Sequence, residues 1–282
     1  MLILLMPVTS TQAFESPKLL ILGDSQLTFG GGRPFLRFFK DINKQCETYW
    51  NNDKHLPNIS SSTGIIGVRS TSIHSWIARD GKSKGMVCDK DPKWGVNART
   101  LGANEDSKRK FEQIGELPHN KFCEPHLSPF EAMFRPGYYD PELFIMFFLG
   151  NSTGRWDEEP ALAKQDLEHM LLQIPKDIPC ILLTTIPTHK PNTNDKRQLA
   201  QQAMMDAFND RLTSHCTLVS GVTETTRNMS ENNTDYFFQK KNGKFDPYHP
   251  SELGARKFLD NRSEDICDAI RTTRKNHHRS KP

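Results

Sequence analysis

A chain of 282 residues with 35% hydrophobic and 25% charged residues can bury a sizeable core under a very polar surface, as one large α/β domain or two small ones. A formal net charge of +3, with no basic stripe interleaved with aromatics, excludes nucleic-acid binding as the reading of the composition. No apolar run beyond the N-terminus approaches the roughly 20 residues needed to span a bilayer.

Met1 to Val8 is strongly apolar, and Thr11-Gln12-Ala13 ends in a small residue before Phe14. This is the pattern of the hydrophobic part and cleavage site of a secretory signal, so residues 1–13 are expected to be a leader, short and truncated at its basic end. A secreted or periplasmic location follows. Cys46, Cys88, Cys123, Cys180, Cys216 and Cys267 agree with it: the number is even, and no Cys-x-x-Cys pair suggests zinc or thioredoxin chemistry. Up to three disulfides are expected, with the pairing left open. Cys180, inside an apolar run, reads as simply buried.

The first element is the run Leu19-Leu20-Ile21-Leu22, a buried strand that ends in Gly23-Asp24-Ser25. In an open α/β sheet such a strand carries the serine to the carboxyl edge, where ligands bind. Gly30-Gly31-Gly32 reads as flexible loop, not as a phosphate loop, because no Gly-Lys-Ser/Thr ending follows. Phe35, Leu36, Phe38, Phe39 and Ile42 then recur at helical spacing after Pro34. Gly64-Ile65-Ile66-Gly67-Val68-Arg69-Ser70 is a second strand-like run, followed by His74 and Trp76, with His74 read as a packing or surface residue.

Residues 79–140 change character, with frequent charges, Gly and Pro. So long a structureless stretch is improbable inside a compact domain, which makes this an insertion with short elements of its own beside the active-site edge. Its Trp94, Arg99, Phe130, Phe134, Arg135, Tyr138 and Tyr139 are candidates to line a substrate groove.

Leu143 to Leu149 is a continuous apolar run, as in a parallel strand covered on both faces, and it ends in Gly150-Asn151-Ser152-Thr153. Helical spacing over 162–174, a short strand within 178–186, a helix over 197–212 and a strand at 216–219 follow. The segments 192–195 and 223–234 read as polar loops. Leu253, Phe258, Leu259, Ile266 and Ile270 form the apolar face of a last helix, after which 271–282 reads as a basic flexible tail. Strands alternating with helices predict a parallel α/β sheet, with residues 17–270 as a single domain.

The loop Lys244-Phe245-Asp246-Pro247-Tyr248-His249-Pro250 precedes that helix. A carboxylate three residues from an imidazole can orient one ring nitrogen while the other takes a proton from a serine hydroxyl, and histidine suits the task because its pKa lies near neutrality. A serine after the first core strand and Asp-x-x-His-Pro before the last helix resemble the layout of the SGNH/GDSL hydrolases. Gly23-Asp24-Ser25 is similar to that family's nucleophile block and Asp246 to His249 to its Asp-x-x-His block. Gly64-Ile65-Ile66-Gly67 is similar to its second block and Gly150-Asn151 to its third.

The resemblance implies a three-layer α/β/α sandwich around a flavodoxin-like parallel sheet. It implies Ser25, Asp246 and His249 as catalytic residues, and the Ser25 and Gly67 N–H groups with Asn151 as the oxyanion hole, with Gly64 as the fallback for Gly67. The family needs no metal or organic cofactor, and none is expected here. His277-His278 lacks companion ligands. The third block departs from the usual Gly-x-Asn-Asp, so either Asn151 or Ser152 fills the third donor position. The expected function is a secreted or periplasmic serine esterase removing an acyl group from a carbohydrate or envelope glycan, with no nucleic-acid partner and no stable membrane span. The alternatives are an O-acyltransferase that uses the same acyl-enzyme and a non-catalytic glycan-binding protein on a degenerate hydrolase scaffold.

Overall fold

A computed structural model describes residues 16–50, 59, 62–79, 87–88, 96–101 (as backbone), 122–209 and 215–280. The expected leader lies outside the described residues, as does Trp94. Five strands form a parallel sheet: β1 (Leu19–Gly23), β2 (Thr63–Val68), β4 (Leu143–Phe147), β5 (Cys180–Leu183) and β6 (Cys216–Val219). An edge strand, β3 (Val96–Leu101), pairs antiparallel with β2, giving the order β3-β2-β1-β4-β5-β6. The parallel part reverses its order at β1, the switch point at which α/β sheets leave a crevice for ligands.

Side chains alternate across the pleat and divide the core in two. Leu20, Leu22, Phe144, Met146 and Leu182 face one layer; Leu19, Ile21, Ile145, Phe147 and Ile181 face the other. The second layer holds α1 (Gly32–Lys40), α2 (Ile42–Gln45), α3 (Glu47–Trp50) and the long α10 (Glu252–Ser280). The first holds α4 (Ile73–Ile77), α5 (Pro129–Met133), α6 (Thr153–Glu158), α7 (Ala161–Gln173) and α8 (Pro191–Asn209). The helix α9 (Glu224–Glu231) and a two-stranded antiparallel sheet of β7 (Phe237–Gln239) and β8 (Phe245–Pro250) precede α10. The chain is a three-layer α/β/α sandwich.

Several local expectations are corrected. Gly30 to Gly32 are helical: Ser25 and Gln26 open a helical run that passes through a π turn at Leu27–Gly31 directly into α1. The segment 192–195 belongs to α8, which starts six residues before the expected Arg197, because Pro191 at the first position is pre-set for a helix. Within 223–234, Thr223 and Thr226 form a reciprocal capping box that starts α9. Asp246 and His249 lie on a strand, not in a loop. The residues from Arg271 to Ser280 continue α10, where Thr273 and Arg274 are buried, so the tail is helical there.

The described parts of 79–140 join the sheet and the core. Its β3 widens the sheet, while α5, capped by Ser128 and Glu131, buries Phe130 and Met133 against Trp76. Phe130 and Tyr139 are core residues, Phe134 packs against them, and Arg135 lies by Glu124 and Tyr138. Phe130 and Tyr139 are therefore core residues rather than groove lining, while Arg135 stays exposed and Phe134 and Tyr138 half-buried; nothing is described of the Arg99 side chain.

The six cysteines form three disulfides: Cys46–Cys267, Cys88–Cys123 and Cys180–Cys216. The first ties the end of α2 to α10, and the second closes a loop inside 79–140. The third joins residues in direct register on β5 and β6, so Cys180 is buried but not free. Among the described residues no helix is long and apolar enough to cross a membrane.

Candidate active site

The buried run of β1 ends where Asp24 turns the chain. Asp24 Oδ1 accepts the Gln26 N–H at 2.9 Å, an Asx turn that points Ser25 outward while Asp24 and Gln26 stay buried. The helix that follows is pressed onto the chain that carries His249. A Cβ added at Gly30 would stand 2.2 Å from the Pro250 carbonyl oxygen, so only glycine permits this approach. The consequence is a contact across 224 residues of sequence: His249 Nε2 lies 3.0 Å from Ser25 Oγ. On the other side of the ring His249 Nδ1 is 3.1 Å from Asp246 Oδ2, a close contact that becomes an ion pair when the imidazole is protonated.

The electrostatics suit a base. Burial holds the His249 imidazole below its usual range; Asp246 pulls upward, while Arg197 and Arg69 add to the depression. Burial pushes the Asp246 carboxyl up, but the Tyr248 N–H and His249 outweigh it and leave the carboxyl below its usual range. At neutral pH the pair is a neutral imidazole beside a carboxylate.

Gln26 anchors this arrangement. Its side-chain amide donates to the Ile186 and Tyr248 carbonyls, at 3.0 and 3.3 Å, while its oxygen accepts from Thr185 Oγ1 and the Ile186 N–H. One buried side chain thus locks the serine turn to the β5 exit and to the histidine strand. Gln26→Leu leaves those four groups without their partner, and a loss of about 3 kcal/mol is expected in urea denaturation. An unchanged midpoint would show that the network contributes nothing net.

The third block is a 3₁₀ turn, Gly150–Ser152. It presents Asn151 at the surface, with Nδ2 donating to the Thr71 carbonyl at 2.9 Å and standing 3.4 Å from Asp24 Oδ2. Ser152 is buried, and its hydroxyl is sealed from solvent. Gly67, on β2, is level with Gly23 and sits under Leu27 and Thr28. Behind the turn is a buried acid and base, Asp24 and Arg197. A Cβ at Gly150 would fall 2.9 Å from Arg197 Nη2 and 3.6 Å from Asp24 Oδ2, so a side chain there would have to displace the Arg197 guanidinium. Burial raises the Asp24 carboxyl to about 6 against the pull of the Gln26 N–H and Arg197. Burial likewise lowers Arg197 to about 10. Arg197 Nη1 also donates to the Ile186 carbonyl at 2.7 Å, bracing the β5 exit.

Two features frame the surface. Phe29 stacks on His249 with ring centroids 4.0 Å apart and meets the edge of Phe238 at 5.3 Å. These phenylalanines line a cavity of about 650 Å³ with Phe245, Asp235, Gln239 and Glu252. Arg69, from the turn after β2, lies over the Phe29 ring.

The structure brings Ser25, Asp246 and His249 together, with Asn151 and Gly67 at the ends of the flanking strands. Gln26, Arg197, Arg69 and Phe29 escape sequence reasoning, since each acts through contacts distant in the chain. His74 is a packing residue: its Nδ1 meets the buried Asp166, which also accepts from Arg155 and Trp156. Among the described residues, Cys180, His215 and Cys216 are close enough together to hold a metal, but both sulfurs are in the disulfide and offer no thiolate.

No family model and no curated relative matches this chain. Solved structures similar to it include one from Streptococcus pneumonia, provisionally described as a platelet activating factor. It is 13% identical, with a TM-score of 0.46 over 90% of this chain and 85% of that one. Another is a family two carbohydrate esterase from Clostridium thermocellum in complex with cellohexaose. It is 10% identical, with a TM-score of 0.43 over 92% of this chain and 66% of that one.

Proposed function

We propose that the protein is an exported serine esterase that removes an acyl group from a carbohydrate by way of a Ser25 acyl-enzyme. The observation that carries this reading is the 3.0 Å approach of His249 Nε2 to Ser25 Oγ, with Asp246 at the opposite ring nitrogen.

In the proposed reaction His249 takes the Ser25 proton as the oxygen attacks the acyl carbonyl, and the ionised Asp246 stabilises the imidazolium. The Ser25 and Gly67 N–H groups and the Asn151 amide receive the negative charge on the former carbonyl oxygen. Collapse breaks the ester bond as His249 returns the proton to the departing sugar oxygen. Water, deprotonated by the same histidine, then attacks the acyl carbonyl; the bond to Ser25 Oγ breaks, His249 returns the proton to that oxygen, and the acid is released.

Support for a sugar comes from the cavity lined by Phe29, the ring stacked on His249, together with three further phenylalanines, Asp235, Glu252 and Gln239, whose polar groups can bond hydroxyls. Support for export comes from the three disulfides, which persist in oxidising compartments.

The direct test is a fluorophosphonate probe, which phosphonylates an activated serine without needing the right acyl substrate. Native protein is expected to gain one adduct mass on the peptide that contains Ser25, and Ser25→Ala none. Absence of the adduct in the native protein would leave the glycan-binding reading in its place. Product analysis with an ester donor, with and without sugar acceptors, separates hydrolysis from transfer.

A further inference from the structure

The strand β2 ends in an irregular turn. Ser70 has a φ of 60°, in the left-handed region that non-glycine residues rarely adopt. The turn is held all the same: Thr71 Oγ1 donates to the Val68 carbonyl at 2.7 Å and accepts from Trp76 Nε1, and the Thr71 carbonyl takes the Asn151 amide. Strained backbone persists where its surroundings over-determine it, and it clusters at functional sites. What this turn delivers to the site is Arg69.

The Arg69 guanidinium is half-buried and fixed in place. Nε donates to Thr28 Oγ1 at 3.2 Å, and that hydroxyl in turn donates to the carbonyl of Ser25 at 3.0 Å. Its Cζ sits 4.7 Å from the centre of the Phe29 ring, the ring that stacks on His249. Among the described residues no carboxylate forms an ion pair with Arg69, and its two terminal nitrogens make no hydrogen bond to protein. The neighbouring charges are accounted for otherwise. Asp246 serves His249, Asp24 is buried toward Arg197, and Glu252 meets Arg33 and Arg256. A guanidinium held in place, with its forked face unfilled among the described residues, matches the planar pair of oxygens of a carboxylate.

The geometry points to Arg69 as the receptor for an anionic group carried by the substrate next to its ester, which makes the substrate an acylated acidic glycan, such as an O-acetylated uronic acid polymer. This assignment rests on the esterase reading of Ser25. Phe29 joins the two parts of the site: it stacks on His249, lies under Arg69 and lines the cavity, and the proposal seats a sugar ring on this lining with its carboxylate turned to Arg69.

The test compares O-acetylated polygalacturonate with O-acetylated xylan free of acidic side groups, using native protein and Arg69→Gln. Native protein is expected to favour the acidic substrate, with the preference shrinking as salt rises. In Arg69→Gln the ratio of kcat/KM values, acidic over neutral, is expected to fall about tenfold, mostly through KM, as for loss of one charge-assisted pair. Arg69→Lys is expected to recover only part of it. An O-sulfated, acetylated neutral glycan forms a further arm, and a preference for it over the uronate would assign the anion as sulfate.

A binding measurement keeps this inference distinct from the esterase reading. Oligogalacturonate, which has no ester, is titrated against Ser25→Ala and against Ser25→Ala with Arg69→Gln. Weaker binding in the double variant supports the anion site even where no turnover exists. Equal binding of neutral and acidic oligosaccharides, or a ratio unmoved by Arg69→Gln, overturns it. An equal loss on both polymers would show that Arg69 only braces Thr28 and the serine turn.

Discussion

Ser25→Ala and His249→Ala are each expected to lower kcat on a short acyl ester by roughly four to six orders of magnitude, and the double variant by no more than the worse single one, because nucleophile and base act as a unit. Asp246→Asn is expected to cost about four orders, since an amide favours the wrong imidazole tautomer and cannot stabilise the imidazolium. The pH profile adds a check that no simple loss of structure imitates. The acid limb of kcat/KM follows deprotonation of His249 in the free enzyme. Burial and the two arginines place that pKa below the ~6.5 of an ordinary imidazole, so activity is retained as pH falls through the mid-sixes and disappears lower down. Asp24, raised to about 6, is a second group that titrates below neutrality, and Asp24→Asn removes that titration while leaving the His249 limb. A midpoint near or above 7, or additive losses in the double variant, would contradict the assigned pairing.

The contrast between what the chain states locally and what only folding reveals is sharp at this site. Strand β1 is legible because four apolar residues stop at Gly23-Asp24-Ser25. The Asp246–His249 pair is legible because its spacing and its place before an amphipathic helix are both sequence properties. Gln26 is not legible: nothing in a glutamine after a serine announces four hydrogen-bond partners, three of them about 160 residues away and one 222. Arg197 and Arg69 fail for the same reason, since an arginine on a helix or after a strand reads as solvated surface until its neighbours are known. Gly30-Gly31-Gly32 misleads in the opposite direction. Glycine runs read as loops, whereas here the helical run continues and Gly30 serves a backbone contact with Pro250. The segment 79–140 misleads because its composition is polar, yet Phe130 and Met133 belong to the main core.

The proposed third oxyanion donor is where sequence and structure meet most usefully, because the sequence leaves Asn151 and Ser152 as alternatives and the two occupy opposite environments. The substrate oxygen arrives from solvent, so its donor must face solvent. Asn151 does, and Ser152 does not. One Asn151 amide hydrogen is spent on the Thr71 carbonyl at 2.9 Å, which fixes the plane of the amide. The other makes only a long, 3.4 Å contact to Asp24, so in the proposed role a developing oxyanion shares this hydrogen with the amide plane unchanged. Asn151→Ala is therefore expected to lower kcat by about two to three orders of magnitude with little change in KM, the signature of an interaction made mainly in the transition state. Ser152→Ala, which removes a hydroxyl without a hydrogen-bond partner, is expected to stay within about threefold of native. The reverse order of losses would move the oxyanion role to Ser152 and require the Gly150–Ser152 turn to open on binding. Equal, small losses would mean that the Ser25 and Gly67 N–H groups hold the oxyanion alone. The slower chemistry of such a two-donor hole would then be measurable as a lower kcat in the native protein itself.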